Sequence, residues 1–386
     1  MRNAVIAAMI LVGFGAFPRP HGHGEDASSK EELERIFTGV ADDHSPGLAV
    51  LVRENGRTVF ERGYGVKDLQ SRRAIDSHTD FRLASCTKQF TAMAIMLLVH
   101  DRKLRYDERL TDVFREFPNY GRAITIRNLL NHTSGLPDYE SLMDQASNGR
   151  PPWSENHQIH DPDVLKLLET QKHGKFPPRT QWSYSNSGYV VLGLIVAKVS
   201  GESFPDFLHD RIFAPLGMNH ALAYVKGTNQ VPNRAYGHSK EGNRFVQTDQ
   251  SATSATLGDG GVYSNLEDLS KWDHALAHYT LLSASEMRPA LTPVKMPDGS
   301  TPSWSSDPGD TDPQAGKPAL YGFGWFLDDY QGERRMWHYG ETTGFRTAIE
   351  RFRNGDLTIV ILCNRSDLNP EILALRVADL YLKSPH

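Results

Sequence analysis

The sequence predicts an α/β (α+β) fold. An antiparallel sheet built from both chain ends is flanked by terminal helices, and a mainly helical subdomain is inserted between its parts. Two observations carry this expectation. Short apolar strand-like runs, joined by two-residue turn signals, gather near both ends of the chain. The middle is dominated by longer apolar runs that begin at helix caps and stop at glycine or proline.

The elements follow in order. Arg2 precedes an apolar run over 4–12 that fades into Gly13, Gly15 and Ala16. A basic start, a short apolar core and small residues after it read as a secretory signal, with an uncleaved anchor as the alternative. Residues 1–24 are therefore taken as signal and linker, His21 and His23 being linker residues rather than metal ligands. A helix is expected over 29–41. Strands over 47–52 and 58–61 flank Asn55-Gly56, a strong hairpin signal because both turn residues tolerate positive φ. An apolar helix follows over 89–100, and Asp161-Pro162 caps and opens another over 163–170. The helix at 189–199 is stopped by Gly201, and Ser264-Asn265-Leu266-Glu267 reads as a capping box for a helix over 267–278. The polar stretch 297–317 reads as a surface loop or a lid. Strands over 321–328 and 334–338 surround Gln331-Gly332, and strands over 345–352 and 357–362 surround Asn354-Gly355. Asn369-Pro370 starts the last helix, over 371–382. The sheet subdomain is thus assigned to 25–80 and 260–386, the helical subdomain to 81–259, and the cleft between them is the natural place for a site.

Composition excludes several functions. In 386 residues, 39% hydrophobic and 23% charged, nothing suggests a fibre or a disordered chain. A net charge of −5 gives no electrostatic footprint for nucleic acid. The two cysteines, Cys86 and Cys363, form no disulfide framework and read as small buried hydrophobes.

The chemistry-bearing segment is Ser85-Cys86-Thr87-Lys88 at the head of the apolar helix. Serine with lysine three residues on places a hydroxyl and an amine on one face, and serine becomes a nucleophile only when a base takes its proton. A plain N-cap serine with a solvated lysine is the bland alternative. Against it, a first-turn lysine meets the positive end of the helix dipole, and the run after it is too apolar for a surface helix. A buried lysine has the lowered proton affinity that a base needs. A second segment, Tyr184-Ser185-Asn186, lies between a turn at 177–180 and an apolar helix, where a phenol and an amide can project into a cleft. The same tripeptide recurs as Tyr263-Ser264-Asn265; there Ser264 is assigned to the capping box and Tyr263 is read as structural. The third segment is Trp337-His338-Tyr339-Gly340-Glu341, whose strand edge can offer a backbone N–H to a developing oxyanion.

Together the three segments resemble the class C β-lactamase-like serine hydrolases, which include penicillin-binding D-alanyl-D-alanine carboxypeptidases, D-aminopeptidases and β-lactamase-like esterases. The resemblance extends to 124–136 with His132-Thr133-Ser134-Gly135, to 212–218, and to 260–264 with Asp268-Leu269, so it covers roughly 30–383. It implies the β-lactamase/transpeptidase-like fold, Ser85 as nucleophile, and Lys88 with Tyr184 as general base and acid, Tyr184 kept acidic by nearby cationic charge. Asn186 would bond the substrate's acyl side chain or Lys88, while His338 and Gly340 would orient Tyr184 and substrate. The oxyanion hole would be the backbone N–H groups of Ser85 and Glu341. No metal and no organic cofactor is called for. The implied partner is a small-molecule or peptide ester or amide, with no nucleic acid and no stable membrane span after signal cleavage.

Three departures bear on the substrate. His338 stands where many β-lactamases carry lysine, and a largely neutral histidine suits a substrate carboxylate less well than a permanent cation. Glu341 brings a carboxylate beside the presumed oxyanion hole. Arg179 follows Pro178 where glycine would suit a type II turn, which predicts another turn type. The expected function is an exported, periplasmic or secreted serine hydrolase, an esterase or D-amino-acid peptidase working through a Ser85 acyl-enzyme. A β-lactamase is the rival of the same mechanism, and a penicillin-binding sensor that is acylated without turnover is the rival of another class.

Overall fold

The computed structural model describes residues 23–146, 152–304, 316–353 and 356–382. Its main sheet has six strands, all antiparallel: β1 (Leu48–Glu54), β2 (Arg57–Tyr64), β8 (Phe326–Tyr330), β9 (Glu333–Thr342), β10 (Phe345–Phe352) and β11 (Leu357–Cys363), in the order β2-β1-β11-β10-β9-β8. The pairing that closes the fold joins the chain's two ends, with Leu48 opposite Cys363 and Glu54 opposite Leu357. Smaller sheets use β3 (Phe81–Arg82), β4 (Leu222–Ala223) and β7 (Val262–Ser264), and the hairpin β5 (His238–Glu241) and β6 (Arg244–Gln247).

Side-chain alternation explains why β1 and β11 read as unbroken apolar runs. Leu48, Val50 and Val52, with Ile359, Ile361 and Cys363, pack on one face against Leu33 and Phe37 of the helix His23–Phe37 and Ala374 and Val377 of the helix Pro370–Leu382. Ala49, Leu51, Val360 and Leu362 point the other way, into the core shared with the helical part. A strand covered on both faces needs no polar side.

The turns explain the hairpins and some of the misread boundaries. Asn55 and Gly56 both have positive φ (49° and 73°), as do Gln331 and Gly332 (52° and 84°), which fits primed turns between twisted strands. The turn expected at Asn354-Gly355 lies outside the described residues, as do the segment read as a signal and residues 305–315 of the polar loop. The expected strand over 321–328 is only Phe326–Tyr330. Gly322 and Gly324 take the preceding residues out of the sheet: a Cβ on Gly324 would stand 2.7 Å from the Gln89 Cα, and one on Gly322 1.9 Å from the Ala290 carbonyl oxygen. The close pass at Gly324 brings this stretch onto the backbone of Lys88 and Gln89, at the start of the helix Lys88–His100.

Two helix starts also differ. His160, not Asp161, occupies the cap of the helix Asp161–Glu169, and the Asp161 carboxylate accepts from the Leu257 N–H at 3.0 Å. The capping residue of the helix Leu266–His278 is Asn265, accepting from the Asp268 N–H at 2.9 Å, while Ser264 belongs to β7. Arg179 overturns the expected turn type. It adopts φ +68° itself, with the Thr180 N–H donating to the Pro177 carbonyl at 3.2 Å, the pattern of a type II turn. Its own N–H donates to the Thr133 carbonyl at 2.9 Å, which holds arginine in a conformation usually left to glycine.

Candidate active site

Ser85 sits in a single 3-10 turn, Ala84–Thr87, that runs directly into the helix Lys88–His100. Ala84 takes φ +47°, an uncommon conformation for a residue with a Cβ, and it turns the chain sharply out of β3. This bend is wedged against β9. A Cβ on Gly340 would stand 2.2 Å from the Leu83 carbonyl oxygen, so only glycine lets the strand approach so near. The Cys86 thiol donates to the His338 carbonyl at 3.1 Å from the same side. Pairing of β8 with β9 ends at Phe326 opposite Trp337, so the outer edge of β9 from His338 to Thr342 faces the serine turn instead of a strand. Gly340 thus packs directly against the backbone that leads into the Ser85 turn.

Lys88 is 0% exposed and its ammonium has three partners: Ser85 Oγ at 3.0 Å, Asn186 Oδ1 at 2.9 Å and the Asp259 carbonyl at 2.9 Å. No carboxylate makes an ion pair with it among the described residues. Burial pulls its pKa down to about 8, against a weaker upward pull from Asp259 and other acids. The geometry decides where the lone pair goes. In the neutral amine two hydrogens remain, and Asn186 Oδ1 and the Asp259 carbonyl can only accept; the lone pair is left to Ser85.

Asn186 and Tyr184 come from the start of the helix Asn186–Ser200, whose cap is Ser185, its hydroxyl accepting from the Gly188 N–H at 3.1 Å. Tyr184 is half-buried, its hydroxyl shares a hydrogen bond with Ser85, and Lys88 Nζ lies 4.9 Å from its ring centroid. The expectation that cationic charge keeps this phenol acidic is overturned. Burial, the largest influence, holds its pKa well above the ordinary 10, and the Ser85 bond only partly offsets it. Tyr184 is thus held as a neutral phenol.

His338 lies beside Tyr184, ring centroids 6.1 Å apart. Its Nδ1–H donates to the Tyr339 carbonyl at 2.7 Å, which leaves Nε2 to accept from the Tyr321 hydroxyl at 3.3 Å. Burial first, and Lys88 second, push its pKa down to about 3, so the ring is neutral. Its contact with Tyr184 is thus ring to ring, with both nitrogens spent elsewhere. The Glu341 carboxylate, on an exposed side chain, pairs with Arg346 on β10 at 2.6 Å. That pairing neutralises the charge foreseen beside the oxyanion position.

Sequence reasoning missed several groups. The Asp259 carbonyl holds Lys88 from a glycine-rich loop, where Gly258 packs so near the Tyr189 carbonyl that a Cβ would stand 2.2 Å from its oxygen. The cluster Gly258, Gly260 and Gly261 was the available signal for such a close approach. Tyr321 orients His338, and nothing local in the sequence marked it. Trp182, Trp304 and Phe326 form an aromatic wall beside Tyr184, with Trp304 stacked on Phe326 at 5.1 Å at the base of the polar loop. A cavity of about 750 Å³ lined by Arg127, Arg179 and Arg288 includes none of Ser85, Lys88 and Tyr184. No cluster of His, Cys, Asp and Glu suited to a metal occurs among the described residues.

Comparison with known proteins gives the family and the fold. The family model described as Beta-lactamase matches residues 33–382. The chain belongs to the beta-lactamase family. Within that family it is 30% identical over 353 residues to a penicillin-binding protein of Bacillus subtilis strain 168, covering 88% of this chain and 73% of the relative. It is 27% identical over 340 residues to a D-aminopeptidase of Cereibacter sphaeroides, covering 86% of this chain and 58% of that longer protein. Among solved structures, an octameric penicillin-binding protein homologue from Pyrococcus abyssi superposes with a TM-score of 0.74 at 23% identity, covering 92% of this chain and 77% of its own. The D-amino acid amidase of Ochrobactrum anthropi SV3 gives 0.72 at 24% identity, covering 91% and 98%. These two likenesses establish the shared fold.

Proposed function

We propose that the protein is an exported serine hydrolase that cleaves an amide or ester through a Ser85 acyl-enzyme, with D-amino-acid amides or peptides, or esters of similar shape, as substrates. The observation that carries the reading is the buried Lys88 amine, whose two fixed acceptors direct its lone pair to Ser85 Oγ. Export rests on the basic and apolar start of the sequence; among the described residues no helix is long and apolar enough to cross a membrane. The D-amino-acid preference rests on the likeness to the D-aminopeptidase.

In acylation Ser85 Oγ attacks the carbonyl carbon and its proton passes to neutral Lys88. The oxyanion is held by the backbone N–H groups of Ser85 and Glu341, the latter on the β9 edge that faces the serine turn. Tyr184, protonated at neutral pH, donates to the departing nitrogen or oxygen as its bond to carbon breaks, and Lys88 returns a proton to Tyr184. Water then repeats the sequence on the acyl-enzyme, with the proton flow reversed.

The test sets D-alanine p-nitroanilide beside its L-isomer, p-nitrophenyl acetate and a penicillin, for the wild type and Ser85→Ala. Ser85-dependent turnover of the D-anilide, with the L-isomer slower, is the expected result. Fast opening of the penicillin would replace the reading with a β-lactamase, and a stable penicilloyl adduct without turnover of any substrate would replace it with an acyl-binding sensor.

A further inference from the structure

His132 lies in a loop between the helix Ile126–Leu130 and the Tyr184 segment, is 0% exposed, and makes no contact with Ser85 or Lys88 through a hydrogen bond. Its backbone adopts φ +62°, a conformation held at a cost unless the surroundings fix it. Two bonds do the fixing, and both go to the neighbours of Tyr184. The Ser183 N–H donates to the His132 carbonyl at 3.1 Å, and the Ser185 N–H donates to His132 Nδ1 at 3.2 Å. The backbone amides on either side of Tyr184 thus end on one residue. The His132 ring also packs against the Tyr184 ring, centroids 4.5 Å apart, and against Tyr321 at 4.5 Å, the phenol that orients His338.

We infer that His132 is the positioning residue for Tyr184, acting through a neutral ring whose Nδ1 accepts from the Ser185 N–H. This rests on the hydrolase reading above for its catalytic consequence, though the anchoring itself is a matter of structure. Because Nδ1 accepts, the ring proton is on Nε2, which has no hydrogen-bond partner among the described residues and lies among the rings of Trp182, Tyr184, Tyr189 and Tyr321. A second proton would turn Nδ1 from acceptor to donor against the Ser185 N–H and release the segment. Burial and the nearby Lys88 hold the ring's pKa well below 6.5, which keeps it an acceptor across the working range.

Asparagine is the informative replacement. Its Oδ1 stands close to where histidine carries Nδ1, and it tolerates positive φ better than most residues. His132→Phe keeps an aromatic ring but removes the acceptor. The experiment measures acylation by a serine-directed phosphonate and hydrogen exchange across residues 180–187, for the wild type, His132→Asn and His132→Phe. His132→Phe is expected to slow acylation about a hundredfold at saturating reagent, with little change in half-saturation, since a misplaced catalytic group costs rate rather than binding. His132→Asn is expected to stay within about threefold of the wild type. The segment 180–187 should exchange slowly in the wild type and in His132→Asn, and fast in His132→Phe. Equal exchange in all three proteins, or equal slowing by both substitutions, overturns the inference. A wild type that protects the segment but is never acylated refutes the hydrolase reading and leaves the anchoring standing.

Discussion

The chain spells Tyr-Ser-Asn twice, each time at the start of a helix, and the two copies do different work. In the first, Ser185 caps a helix, so Asn186 becomes its first residue and turns Oδ1 to Lys88, with Tyr184 thrown forward onto Ser85. In the second, the capping duty moves one residue on. Asn265 caps its helix with that same Oδ1, Ser264 stays in β7, and Tyr263 is buried with its hydroxyl accepting from Arg234 at 3.0 Å. A one-residue shift in where the helix begins separates the hydrogen-bonded cluster around Ser85 and Lys88 from a structural joint. Identical side chains acquire different work because the helix cap decides which of them is spent on the backbone.

Tyrosine gives the largest contrast. Tyr184→Phe is expected to lower turnover by about 10²–10⁴, the usual worth of a positioned acid–base group, with little loss in melting temperature. Tyr263→Phe is expected to leave turnover within about twofold and to cost about 1–3 kcal/mol of stability, since Arg234 loses a buried partner. Steady-state kinetics and thermal melts of both proteins make the comparison, and reversed roles would break it.

The pH profile sharpens it next. Acylation needs Lys88 neutral, and burial has drawn its pKa down to about 8. Below that the rate should rise about tenfold per pH unit and flatten above it. Tyr263→Phe should keep this limb unchanged. No limb near 6.5 is expected from His132 or His338, both held neutral by burial. A phosphonate-labelling rate that is flat from pH 6 to 9 would contradict the assignment of Lys88 as base.

The asparagines give the smallest effect. Asn186→Ala removes one of the two acceptors that orient the Lys88 amine, and should slow acylation about tenfold with a small change in stability. Asn265→Ala removes a helix cap and a bond to Asp80, and should lower stability by about 1–2 kcal/mol while acylation holds. Labelling kinetics and denaturant melts distinguish the two.

Much of the architecture was legible because local chemistry and tertiary need agree. Asn55-Gly56 forms the turn that Asn-Gly favours, Gly332 supplies one for β8 and β9, and the two apolar ends pair as β1 and β11. Legibility failed where a distant backbone overrode local preference. Gly322 and Gly324 look like strand residues until the backbones they meet, at Ala290 and Gln89, are known, and Arg179 takes a glycine-like φ because Thr133 holds its N–H. At the site, the spacing of Ser85 and Lys88 marked the pair, the family resemblance added Tyr184 and Asn186, and the structure links the four through hydrogen bonds centred on Ser85 and Lys88. The acidity of Tyr184 was misjudged, because burial outweighs the Ser85 hydrogen bond and burial is not written in the tripeptide. His132 and Tyr321 went unassigned for the same reason, their partners lying about 50 and 17 positions away.

The proposed chemistry requires Ser85 to be a nucleophile deprotonated by Lys88. The direct measurement is the intact mass of the protein after a serine-directed phosphonate, for the wild type, Ser85→Ala and Lys88→Met. One stoichiometric adduct on the wild type, none on Ser85→Ala and a severely slowed one on Lys88→Met is the predicted result. An adduct that forms equally on Ser85→Ala, or a wild type that is never modified, would contradict it.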